Sequence, residues 1–221
     1  MPEYLILKLD GVMQSWGEHT YEDFRPTLHF PGRSALLGLL GACLGLDRRA
    51  VAEQQALAAG VRFLVRADGD PTRPEPTLLV DFHTVMDARA VGGKVRANPV
   101  VSRREYLCDC TFTVVVDAAP ELLDRLENAL KRPYYTPFLG RRSCPPSRPL
   151  LESRVVAADA VEALAGVPPC CGQLYSDEDL PGSLPLRVRD EPLLVRHRQF
   201  ASRQVYVSTQ DLEEGDVSEQ D

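Results

Sequence analysis

The stretch Phe30-Pro31-Gly32-Arg33-Ser34, with the run ALLGLLGACLGL that follows it over 35–46, constrains the fold more than any other part of the chain. Pro31 and Gly32 break any strand before them, and Ser34 carries the hydroxyl of a good helix N-cap. Beyond it, Leu36, Leu37, Leu40 and Leu44 recur at helical spacing, which predicts a helix with one apolar side. Gly38, Gly41 and Gly45 fall within about 60° of one another around that helix. Each glycine costs about 1 kcal/mol against alanine in a helix interior, so the stripe gives up roughly 2–3 kcal/mol. A stripe of this kind lets a sheet, a second helix or a ligand approach the backbone closely. The helix entry itself combines free N–H groups, the helix dipole and a guanidinium, which are the ingredients of an anion or phosphate site. No Gly-Lys-Ser/Thr closes it, so it is not a Walker loop.

A chain of 221 residues accommodates one large domain, or one domain with a smaller appendage. The net charge of −7 argues against a nucleic-acid partner, yet the last eleven residues, DLEEGDVSEQD, hold six acids and no base. Without them the charge is −1. Positive charge must then be gathered in patches, or nucleic acid is not the partner. Of 25 basic residues only Lys8, Lys94 and Lys131 are lysines, which leaves 22 arginines. Arginine suits bidentate phosphate contacts and base stacking; a host bias for arginine over lysine accounts for the excess equally well. The six cysteines have no C-x-x-C spacing and read as reduced thiols, with no metal or other cofactor expected. MPEYLILKLDG has too short an apolar run for a signal peptide. The run 35–46 is twelve residues long, short of the ~20 that a membrane span needs. A soluble, cytoplasmic protein without membrane contact is the expectation.

Taken in order, YLILKL (4–9) predicts a central strand and 61–65 a second. Residues 77–85 alternate again. The most regular strand is 106–116, where Tyr106, Cys108, Cys110, Phe112, Val114 and Val116 share one face, so both cysteines read as core thiols. Residues 49–59 continue helical, and 119–131 form an amphipathic helix lined by Leu122, Leu123, Leu126 and Leu130 and stopped by Pro133. This order predicts an α+β chain whose residues 1–144 make a ferredoxin-like (RRM-like) split βαβ domain. The RRM aromatic signature is absent, so stacking of bases on the sheet face is not expected. From Pro145 short strands at 153–157, 172–175, 184–189 and 204–207 are punctuated by prolines, a small β-rich region over 145–210. Residues 211–221 read as a disordered acidic tail. Residues 81–105 are too many for a plain loop, and with Gly92-Gly93 able to turn they predict a β-hairpin arm.

Basic residues cluster at chain breaks: Arg25 with Arg33; Arg89, Lys94, Arg96, Arg103 and Arg104 in the arm; Arg141, Arg142 and Arg148; and Arg196-His197-Arg198 with Arg203. Each cluster alone fits a solvated surface, but an RNA backbone crossing several such loops needs this set of donors. The candidate RNA contacts are therefore Gln14, Trp16, Arg25, Arg33, Ser34, His83, Arg89, Arg103, Arg104, Arg141, Arg142 and Arg203. Trp16, the single tryptophan, is either a plug over the core or a platform for a base. Among His19, His29, His83 and His197 no nucleophile or metal motif stands out, and no catalytic residue is assigned.

The blocks MQSWG, PTLHFPGRSALLGLLGACLGL, DFHTV, SRREYLCDCTFTV, YTPFLGRRSCP and RDEPLLVRHRQFASR, spread over residues 4–206, resemble the CasD family of type I-E Cascade, the CRISPR surveillance complex. The resemblance implies a ferredoxin-like, non-enzymatic member of the RAMP superfamily that caps the 5′ handle of CRISPR RNA (crRNA). It implies an arm that acts as a thumb across the RNA. It also implies as partners the backbone subunit CasC, the large subunit CasA and, through the complex, target DNA. The VGGKVRANP centre departs from the family's usual arm. Two other readings stay open: a metal-independent endoribonuclease acting on repeat RNA, as in type I-C relatives, and a pure assembly scaffold.

Overall fold

A computed structural model describes residues 1–69, 76–90, 92–169, 171–194 and 199–210. In chain order the elements are β1 (Glu3–Gln14), β2 (Trp16–Gly17), β3 (Phe24–Arg25), β4 (Thr27–Leu28), α1 (Arg33–Leu44), α2 (Val51–Gly60), β5 (Val61–Asp68), β6 (Thr77–Val85), β7 (Val100–Ala118), α3 (Pro120–Lys131), β8 (Leu151–Val156), α4 (Ala160–Ala165), β9 (Gly172–Ser176), β10 (Leu184–Pro192) and β11 (Phe200–Gln210). Arg196, His197, Arg198, Cys170, Val91, the proline-rich segment 70–75 and the tail 211–221 lie outside the described residues.

The apolar run of β1 pairs antiparallel with β7, from Tyr4 opposite Asp117 to Gln14 opposite Leu107. On the far side of β7 lies β5, with Val61 opposite Ala118, and on the far side of β1 lies β8. The order β8-β1-β7-β5, joined through α1–α2 and α3, is that of a split βαβ unit, but its fourth strand, β8, comes from beyond the boundary expected at 144. The sheet does not stop there. β9 pairs with β5, β11 with β9 and β10 with β11, so residues after 145 supply strands to both edges of one sheet.

Alternation along the central strands sends their side chains to two faces, and both are covered. Leu5, Leu7, Leu9, Phe63, Val65, Phe112, Val114 and Val116 pack under α1, α2 and α3, whose Leu36, Leu40, Leu57, Leu123 and Leu126 are buried against them. Tyr4, Ile6, Leu64 and Val115 pack under α4 through Ala163 and Leu164. This second cover was not foreseen, because a helix of six residues is too short to show periodicity. Its signal was local: Asp159 caps the amides of Val161 and Glu162, while Glu162 reaches back to the amide of Ala158.

Under α4 the sheet buries four polar groups together. Lys8 Nζ lies 2.6 Å from Asp68 Oδ2 and 2.7 Å from the carbonyl of Pro168. Arg66 donates to Asp68 Oδ1 at 2.7 Å and to the carbonyl of Val167 at 2.6 Å, and Thr113 Oγ1 donates to Asp68 Oδ2 at 2.6 Å. Two cations meet one carboxylate, and the carbonyls after α4 take up the remaining donors. The cluster therefore ties the end of that helix to the sheet.

The close approach expected along the glycine stripe is found only just past the end of α1, where the Tyr134 ring lies against Gly45. A Cβ at Gly38 would meet nothing within 4 Å, Gly41 faces Leu46 and Leu57, and Gly45 ends the helix at φ 75°. Burial pushes the thiols of Cys43 and Cys110 up to about 11, with Cys108 and Asp109 adding to the effect at Cys110. Among the described residues no helix is long and apolar enough to cross a membrane.

Candidate nucleic-acid interface at the root of the arm

A β-hairpin runs over 77–108, longer at its base than the arm expected over 81–105. β6 pairs with the first half of β7 from Thr77 opposite Cys108 to Val85 opposite Val100. Beyond that ladder, Arg89 bridges to Val95, and the amides of Ala90 and Arg96 donate to the carbonyls of Lys94 and Ala88, each at 2.8 Å. Gly92 and Gly93 turn the chain at φ 100° and 85°. The register decides what each face carries. Asp81 and Arg104 lie opposite one another on one face with His83 and Ser102; Phe82 and Arg103 lie opposite on the other, beside Val80. His83 Nδ1 is 3.6 Å from Asp81 Oδ2, and Arg104 Nε donates to Ser102 Oγ at 3.0 Å. Arg89, Lys94, Arg96 and Arg103 are exposed.

At the root of the arm three separate chain segments converge. β3 runs parallel to β7 there, setting Phe24 beside Arg103 and Arg25 beside Arg104. The loop 138–144 reaches the same place: Arg141 donates to the carbonyls of Glu105 and Arg25, each at 3.2 Å, and its guanidinium lies 4.5 Å from the centre of the Tyr106 ring. Glu105 Oε2 accepts from the amide of Thr27 at 3.1 Å, closing the third side. The loop is seated by Gly140, which has φ 83° and approaches so closely that a Cβ there would stand 1.7 Å from the carbonyl oxygen of Ser15. Only glycine fits. Arg25, Arg104 and Arg141 are thus gathered around one junction, with exposed Arg103 on the other face of the hairpin and exposed Arg142 next in the chain. Arg25 and Arg141 spend part of their hydrogen-bonding capacity on backbone carbonyls, which fixes where the rest of each guanidinium points.

The remaining candidates lie elsewhere and serve the fold. Trp16 is a plug: it is 1% exposed and packs edge-on to Phe112 at 6.3 Å. Gln14 is fully buried and donates to the carbonyls of Leu9 and Cys110 at 3.0 and 2.6 Å. Ser34 is not the cap of α1; Gly32 is, and the first helical amide, that of Arg33, donates 2.6 Å to Asp190 Oδ2. The anion site at this helix start is therefore filled by the protein's own carboxylate. Gly32 makes room for it, since a Cβ there would lie 2.8 Å from the same oxygen.

Arg33 is not an exposed side chain either, with 12% of it accessible. It pairs with Asp177 at 2.6 Å and Glu191 at 3.1 Å, and donates to the carbonyl of Ala58 at 2.6 Å. Arg203 joins the same network, binding Asp190 Oδ1 at 2.6 Å and Asp177 Oδ1 at 2.7 Å. Burial alone lowers the pKa of Arg203, but the Asp190 and Asp177 carboxylates outweigh it and the net shift is upward. Asp177, Asp190 and Glu191 went unremarked in the sequence, because nothing local marks them as partners of residues so distant in the chain.

The fold and its site define a class first: an antiparallel α+β sheet of split βαβ order, extended by a hairpin arm with an arginine-rich root. The chain belongs to the CRISPR-associated protein (Cas_Cas5) family, whose model matches residues 4–206. It is 46% identical over 215 residues to the CRISPR system Cascade subunit CasD of Escherichia coli (strain K12), covering 94% of this chain and 96% of that one. Among solved structures, a chain of a CRISPR RNA-guided surveillance complex superposes with a TM-score of 0.74 at 30% identity, covering 94% of this chain and 90% of its own. A crystal structure of a Cas protein follows at TM-score 0.68 and 30% identity, covering 94% of each chain.

Proposed function

We propose that this chain is a CRISPR RNA-binding subunit of a Cascade surveillance complex and holds the 5′ handle of the crRNA at the root of its arm. The observation that carries the reading is the convergence of Arg25, Arg104 and Arg141 from three chain segments onto one junction, flanked by exposed Arg103 and Arg142. Its likeness to CasD over nearly the full length supports assignment to that complex. In this reading the subunit acts by holding RNA and not by cutting it, and it meets the backbone subunit CasC and the large subunit CasA. The endoribonuclease alternative gains no support from the comparisons, which point to a Cascade subunit.

Arg103 and Arg142 are the right residues for the test, because both are exposed. With labelled handle RNA, the Arg103→Ala/Arg142→Ala double variant should bind more weakly while melting as wild type does. For single strands each lost phosphate contact removes roughly 0.7 from the slope of log K against log salt, so the slope should drop by about 1.4. Unchanged affinity and slope would remove RNA from this junction. Discrete products from labelled repeat RNA incubated with the protein in EDTA would bring the nuclease reading back.

A further inference from the structure

The loop that leads from α3 to the Arg141–Arg142 turn exposes three aromatic rings. Tyr134 is 73% exposed, Tyr135 50% and Phe138 39%. The fold takes little from these rings, yet it holds the first two in place. The amides of Tyr134 and Tyr135 donate to the carbonyls of Cys43 and Ala42, at 3.0 and 3.2 Å, at the end of α1. The Tyr134 ring lies against Gly45 so closely that a Cβ there would stand 2.7 Å from its Cγ. Pro133 and Pro137 fix the backbone on either side. The two tyrosine rings meet edge to face, with centres 4.7 Å apart and planes at 80°. A pair fixed this way loses little conformational freedom on meeting a ligand.

The surrounding charge indicates what that ligand is. The segment 132–143, RPYYTPFLGRRS, holds Arg132, Arg141 and Arg142 and no acid. Basic side chains interleaved with exposed aromatics are the pattern that binds single-stranded nucleic acid, in which cations meet phosphate and rings meet bases. Arg141 lies six positions after Tyr135, a reach of at most ~20 Å, so a short strand can touch both.

We propose that Tyr134 and Tyr135 form a stacking platform for one unpaired nucleobase of the RNA strand whose backbone passes Arg141 and Arg142. The inference rests on the RNA reading above and adds a base contact to its phosphate contacts. Stacking and charge contacts respond differently to salt, and that difference separates the two ideas. A stacked base contributes affinity without releasing counterions, whereas each phosphate contact steepens the salt dependence.

The experiment uses the full chain and fluorescently labelled single-stranded RNA of the host's repeat handle, titrated at several salt concentrations. Tyr134→Ala and Tyr135→Ala should each weaken binding roughly five- to a hundredfold with an unchanged salt slope. Tyr134→Trp and Tyr135→Trp should restore it. Arg142→Ala should instead flatten the slope. If the tyrosine variants bind as wild type does while Arg142→Ala still weakens binding, the platform is wrong and the RNA reading stands. If all variants bind alike, both fall. Normal RNA binding by the alanine variants together with failure to join the other Cascade subunits would also overturn the platform, making the pair a protein contact. Should an alanine variant not fold, photocrosslinking of the wild-type protein to 4-thiouridine-containing handle RNA decides. Crosslinks to Tyr134 or Tyr135 are expected, and crosslinks found only elsewhere on the chain overturn the proposal.

Discussion

Asp177 serves two arginines at once, taking Arg33 on one carboxylate oxygen and Arg203 on the other, while its Oδ2 also accepts from the amide of Phe63 at 3.1 Å. Arg33 is thereby a structural residue. Arg33→Ala would take from Asp177 one of its two arginines, and from the carbonyls of Ala58 and Val61 the guanidinium that donates to them, in a largely dry site. Breaking a buried pair from one side costs about 3–5 kcal/mol; the upper end is tempered here because Arg203 still holds Asp177. Urea denaturation should show the midpoint falling by an amount equivalent to about 3 kcal/mol. A variant as stable as wild type would mean that the network contributes nothing net. Gly140 is the other residue on which much depends. In Gly140→Ala the new methyl group meets the backbone of Ser15 at a φ that disfavours any side chain, so the 138–144 loop must shift. Both melting temperature and RNA affinity should fall, whereas Arg142→Ala should lower affinity alone.

The arm is the element whose contribution can be removed most cleanly. Its ladder between β6 and β7 ends at Val85 and Val100, and the tip beyond carries Arg89, Lys94 and Arg96 in exposed positions. Replacing residues 88–98 with a short Gly-Ser turn should leave the ladder and the melting temperature intact. At roughly 0.7 per lost phosphate contact, the salt slope for handle RNA should become shallower by up to about 2 units, with weaker binding throughout. Full-strength binding with an unchanged slope would assign the tip to a neighbouring subunit. Helix α1 teaches a different lesson at this scale. Its leucine spacing predicted the element, but its entry, which has the ingredients of a phosphate site, is capped from within by Asp190. A helix start announces a need for acceptors and does not say who supplies them.

For the molecule as a whole, charge and sheet architecture behave differently as sequence signals. The tail 211–221 carries six acids, and the rest of the chain has a net charge of −1. Removing the tail should therefore tighten RNA binding at low salt, with the gain fading above ~0.15 M as screening sets in. Failure of the truncated chain to assemble would instead give the tail a docking role. Much of the fold was legible: YLILKL, the alternation over 106–116, the leucines of 119–131 and Gly92-Gly93 announced β1, β7, α3 and the arm. The continuation of the sheet through β9, β11 and β10 was not, because period two marks a strand without naming its neighbour. For a related reason five of the twelve candidate contacts, Gln14, Trp16, Arg33, Ser34 and Arg203, serve the fold and lie away from the junction. A basic cluster in a loop looks alike whether its arginines meet water or, as for Arg33, a carboxylate 144 positions away.

Strand order also imposes a timetable. β1 is made well before its partners, residues 107–117 and 151–156. At synthesis rates of roughly 5–20 residues per second, the ribosome needs on the order of 5–20 s to deliver the nearer partner. Through that interval the nascent chain carries an apolar strand with both edges open, the condition under which strands of neighbouring chains pair wrongly. A chaperone that shields β1 until β7 has emerged would act at the stage when this strand is unprotected.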